Sequence, residues 1–100
     1  MSLYVIYTTV NTKEKATKLA RDLIENGTAA CVSFCPVRSI YRWKGEIVED
    51  EEYLLIIKSL DPQKVEKYLK ENHPYELPEI IYFRVESSDD YLNWVAQQFQ

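Results

Sequence analysis

Apolar residues alternate with polar ones along some stretches of this chain and recur at helical spacing along others. Leu3 to Thr9 alternates as a first strand. Ala16, Leu19, Ala20, Leu23 and Ile24 then follow at i, i+3, i+4, i+7 and i+8, the spacing that lines one face of an α-helix. Asn11, with Glu14 three residues on, opens that helix as a capping box, and Gly27 supplies the left-handed residue that ends it. An extended stretch runs from Ala29 to Trp43 with an interruption at Pro36. Lys44-Gly45 makes a turn, and a return strand continues through Ile47 and Val48 to Lys58, so the two strands predict a long hairpin. Asp61-Pro62 starts a second helix, with Asp as cap and Pro in the first turn, and Val65, Tyr68 and Leu69 line its inner face. The prolines at 74 and 78 break regular structure, a fourth strand covers Glu79 to Val85, and Ser87 or Ser88 caps a last helix bearing Tyr91, Leu92, Trp94, Val95 and Phe99.

The order β-α-β-β-α-β plus a terminal helix predicts an α+β class, the ferredoxin-like split-βαβ arrangement with an antiparallel sheet. Two helices cover one face of such a sheet and usually leave the other polar. Here both faces are apolar. Leu3, Val5 and Tyr7 oppose Tyr4 and Ile6 in the first strand, and Ile81, Phe83 and Val85 oppose Ile80 and Tyr82 in the fourth. The last helix covers part of the second face, and the remainder predicts a homo-oligomer.

Composition narrows the function. One hundred residues predict a single domain over 1–100. Twelve basic against sixteen acidic residues give a net charge of −4, without the basic footprint that nucleic acid requires. The start lacks a signal-peptide pattern, and no apolar run approaches the ~20 residues of a membrane span. Cys31 and Cys35 lie four steps apart on a strand, about 13 Å, beyond the reach of a mutual disulfide. Two unbridged thiols predict a reducing cytoplasm. His73 has no nucleophile beside it, no nucleophile elbow is present, and Gly27 and Gly45 are too far apart for a phosphate cradle. The expectation is therefore a protein that is not an enzyme.

Metal chemistry has a candidate. His73, Glu76 and Glu79 fall within seven residues on a proline-stiffened loop, and imidazole with carboxylate suits copper or zinc. The alternative is that His73 only caps the preceding helix. The run Glu49-Asp50-Glu51-Glu52 reads as a solvated hairpin face or as a charge partner for Arg38 and Arg42.

Four segments carry a resemblance: Ala29-Ala30-Cys31-Val32, Ser39 to Ile47, His73-Pro74-Tyr75-Glu76-Leu77-Pro78-Glu79-Ile80-Ile81, and Tyr91-Leu92-Asn93-Trp94. In the same order and at family spacing, they resemble the CutA family of divalent-cation tolerance proteins. The resemblance implies a compact homotrimer, with Tyr41 and Trp43 as interface anchors, and a role in tolerance to divalent metals with copper binding. Carried over by motif, the metal ligands are His73 and Glu79. Thr8 stands where some members have a cysteine, so the soft ligand that favours Cu(I) is missing, and weak binding of Cu(II) or another divalent cation is the expectation. The family is also similar to the trimeric PII signalling proteins. That likeness implies an alternative, an intersubunit cleft for a small anionic ligand or a partner loop, with Arg38, Lys44 or Lys58 facing it. A rigid trimer without a ligand accounts for the same residues.

Overall fold

A computed structural model describes residues 1–99 and shows a mixed α+β fold, one four-stranded antiparallel sheet with three helices. The elements are β1 (Leu3–Val10), α1 (Lys13–Glu25), β2 (Cys31–Trp43), β3 (Glu46–Ser59), α2 (Pro62–Asn72), β4 (Ile81–Val85) and α3 (Asp89–Gln97). The sheet order is β2-β3-β1-β4, so the two strands that follow helices, β2 and β4, form the edges.

Cross-strand register sorts the side chains onto two faces. Ile6 lies opposite Ile57, Thr8 opposite Leu55, and Val32 opposite Ile57. These positions face α1 and α2, and Ile6, Leu55, Ile57, Leu19, Leu23, Val65 and Leu69 form the buried core between sheet and helices. A hydrogen bond from the Tyr68 hydroxyl to Asp22 Oδ2, at 2.6 Å, ties α2 to α1. On the opposite face Val5 pairs with Phe83, and Tyr7 with Ile81. Leu3 and Val95 are buried outside the main cluster, and Tyr91 of α3 lies beside Cys31, so α3 covers one end of this second face. Ile81 and Phe83 remain exposed.

Four local expectations need correction. Thr12, not Asn11, caps α1, its hydroxyl accepting from the Lys15 amide at 3.1 Å; Asn11 instead accepts from the Lys15 ammonium. Strand β2 begins at Cys31 and passes through Pro36 unbroken, because an edge strand has no neighbour on one side to require the missing N–H. Strand β4 begins at Ile81, two residues later than its apolar pattern, since Pro78 precedes it and Ile80 packs against the core as loop. Helix α3 ends at Gln97, with Phe99 just beyond it. Asp61 and Ser88 cap α2 and α3 as expected.

The hairpin positions the rest. Its ladder runs from Cys31 opposite Lys58 to Trp43 opposite Glu46, closed by Lys44 and Gly45 at φ 51° and 82°. Two successive positive φ values match the right-handed twist of a two-residue hairpin turn, and glycine takes the second without strain. Strand β1, however, pairs with β3 only from Ser59 back to Tyr53. Beyond that point β2 and β3 continue as a two-stranded ribbon away from the body. The molecule therefore extends 45 × 24 × 21 Å, with a radius of gyration of 14.2 Å against about 13 Å for a compact chain of this length.

Candidate functional site

The ribbon and the loop after α2 enclose a groove of about 770 Å³. Its formation starts at His73. The His73 amide donates to Leu69 O at 2.8 Å and closes α2, and Pro74 prevents continuation. The ring then turns toward β1. Strand β4 accompanies β1 only as far as Tyr7, opposite Ile81, which leaves the following stretch of β1 without a strand on that side. The His73 ring reaches it: Nε2 lies 2.9 Å from Thr9 O, and Nδ1 lies 3.0 Å from the Tyr75 amide nitrogen. A carbonyl only accepts and an amide N–H only donates, so the ring is neutral with its proton on Nε2. Burial pushes its pKa below the ordinary 6.5, with the Thr9 hydrogen bond and the Glu52 charge opposing that shift.

Tyr75, stacked edge-on against His73, donates its hydroxyl to Glu52 Oε2 at 2.6 Å. Burial, with the Glu52 hydrogen bond behind it, pushes the Tyr75 phenol well above its ordinary value. Glu52 is only 6% exposed. It sits on β3 in the same alternation as Leu54 and Ile56, so the period of the strand carries an acid into the register of the second sheet face. Two residues outward, Asp50 accepts the Tyr41 hydroxyl at 2.7 Å, and that hydrogen bond raises the Tyr41 phenol. Asp50, Glu51, Glu52, Glu76 and Glu79 line the groove with Tyr41, Trp43 and Leu77. No basic side chain lines it.

The two candidate ligands thus share a loop but differ in availability. Glu79 is exposed and lines the groove. Both nitrogens of His73 are already hydrogen-bonded, and the capping role weighed against ligation is one of the jobs it performs. Thr8 is fully buried on the core face, and its hydroxyl has no hydrogen-bond partner among the described residues. No group of three or more His, Cys, Asp or Glu side chains among the described residues converges to hold a metal ion.

The hairpin acids resolve differently from one another. Arg38 bridges Glu49 and Glu51, each at 3.1 Å, within the same chain. Arg42 instead points to the Gly45 carbonyl at 3.5 Å. The cations named for an anionic cleft are dispersed: Lys44 lies 5.9 Å over the Trp43 ring, and Lys58 approaches Cys31 at 3.8 Å. Cys31 and Cys35 are free. Sequence reasoning did not single out Tyr75 or Glu52. The alternation of β3 held a signal for Glu52, whereas nothing local places Tyr75 against a residue 23 positions earlier.

Comparison with known proteins gives a consistent result. The family model described as CutA1 divalent ion tolerance protein matches residues 4–98. The divalent-cation tolerance protein CutA of Thermus thermophilus is 40% identical over 97 residues, covering 93% of this chain and 94% of the relative. Its counterpart in Thermotoga maritima is 38% identical over 98 residues, covering 95% and 97%. Among solved structures, CutA from Synechococcus elongatus superposes with a TM-score of 0.95 at 34% identity, covering 99% of this chain and 91% of that one.

Proposed function

The chain belongs to the CutA1 divalent ion tolerance protein family, and from that premise we propose that it serves divalent-cation tolerance as a single-domain, non-catalytic homotrimer. In this reading it makes weak, exchangeable contact with Cu(II) or another divalent cation through His73 and Glu79. The observation that carries the reading is the likeness, over nearly the whole chain, to proteins named for divalent-cation tolerance.

Physical features support the trimer. Ile81 and Phe83 are exposed on the second sheet face, and Ile40 and Ile47 on the ribbon are 65% and 70% exposed. A two-stranded ribbon is marginal in water by itself, and apolar side chains along it are stabilised when other copies cover them. Both edge strands also offer unpaired backbone for edge-to-edge contact.

The donor set explains why metal contact is weak. Imidazole and carboxylate suit Cu(II) or Zn(II). To ligate, the His73 ring must release either the Tyr75 amide or the Thr9 carbonyl. Thr8 adds no donor, because its hydroxyl is sealed in the core. Two protein donors with water completing the shell make an open, exchangeable arrangement. The free cysteines fit a reducing compartment, and we place the protein in the cytoplasm. No described helix is long and apolar enough to cross a membrane.

Calorimetric titration of Cu(II) into metal-stripped protein at about pH 7.5, where imidazole is neutral, tests the reading. The expected result is one weak event per subunit, diminished in both His73→Ala and Glu79→Gln. Equal binding in wild type and both variants, or none in any, overturns His73 and Glu79 as ligands.

A further inference from the structure

The groove between ribbon and loop contains more acid than divalent-cation contact at His73 and Glu79 uses. Glu52 lines it, nine-tenths buried, with Oε2 held by the Tyr75 hydroxyl. Its other oxygen has no hydrogen-bond partner among the described residues, and no cationic side chain lies within ion-pair distance. Buried carboxylates are retained where an opposite charge reaches them. Asp50 lies further out along the same wall, also oriented by a tyrosine.

From this geometry we propose that the groove binds a small linear polyamine, with Glu52 receiving one ammonium group and Asp50 and Glu79 the others. Three features select that class. The groove has the volume of a small-molecule site. Its carboxylates do not gather in threes at metal-ligating distance, so a compact ion meets too few oxygens, whereas ammonium groups separated by methylenes meet them in succession. The segments between the acids are Tyr41, Trp43 and Leu77, apolar surface that suits the methylenes, and the aromatic faces favour nearby cations. Anionic ligands are disfavoured, since Arg38 is bound to Glu49 and Glu51 and no base lines the groove.

The test is calorimetric titration of spermidine into the full chain at roughly physiological ionic strength, where diffuse attraction to exposed charge is screened beyond about 8 Å. The expected result is saturable binding, one per chain, weakened about tenfold in Glu52→Gln through loss of one charge-assisted hydrogen bond. Leu77→Ala should weaken it less. Should Glu52→Gln fail to fold, Glu79→Gln, at an exposed position, carries the same comparison. Equal affinity in the variants, or full competition by magnesium chloride at matched ionic strength, reduces the effect to a diffuse ion atmosphere and overturns the proposal. Absence of binding together with a Trp43 emission that acrylamide cannot quench also overturns it, because another copy then seals the groove.

Discussion

The two halves of the β2–β3 hairpin share one register and one pair of strands, yet they obey different physics. In the inner half, Val32 and Phe34 face Ile57 and Leu55 beneath the helices, and β1 flanks β3 on its other edge. In the outer half, β3 has β2 on one side only, and Ile40 and Ile47 meet solvent. Its ion pairs, Arg38 with Glu49 and Glu51, join side chains that are more than half exposed, and such pairs contribute little. A continuous ladder therefore does not confer uniform stability. The inner half is held by burial against helices and sheet, while the outer half depends on whatever covers it.

The largest expected effect breaks this comparison directly. Leu55→Ala removes a fully buried side chain and should destabilise the chain by about 2–5 kcal/mol in urea unfolding. Ile47→Ala, on the same strand, should change subunit stability by no more than about 0.5 kcal/mol while weakening association measured by light scattering. If Ile47→Ala costs as much subunit stability as Leu55→Ala, the distinction between the halves fails.

A smaller effect sharpens the inner half. Thr8 lies opposite Leu55 with a buried hydroxyl that has no described partner. Thr8→Val should raise stability by about 1 kcal/mol by relieving that desolvation cost. Loss of stability instead would mean that the hydroxyl has a partner, such as a buried water.

The smallest effect belongs to the loop joining the two regions. Burial holds His73 below its ordinary pKa of 6.5, so the unfolded chain takes up the proton first. Its contribution is fully present above the ordinary value and is lost as pH falls through the lower folded one. Urea midpoints should therefore decline between about pH 7 and pH 5, and His73→Asn should flatten that decline. An unchanged profile in the variant would assign the decline to the carboxylates.

Much of the molecule was legible in the chain because its signals are local. Alternation placed the four strands, i, i+4 spacing placed the helices, and Asp61-Pro62 marked a helix start where the structure has one. The errors are local too: Asn11 and Thr12 are both competent caps, and the backbone path chose Thr12. The candidate ligands were nameable because they share one loop. Their availability was not, since it depends on the Thr9 carbonyl, a residue 64 positions away in sequence.

The sequence by itself determined the elements, their order and the apolar character of both sheet faces, because those follow from side-chain periodicity. It also carried the family likeness. Only the tertiary structure decided that β1 stops short and frees the outer ribbon, and that His73 spends both ring nitrogens on the backbone. It alone brought Tyr75 to Glu52 and left that acid in a groove without a countercharge. These outcomes depend on where strands of unequal length end relative to one another, and such distances exist only after the chain has closed on itself.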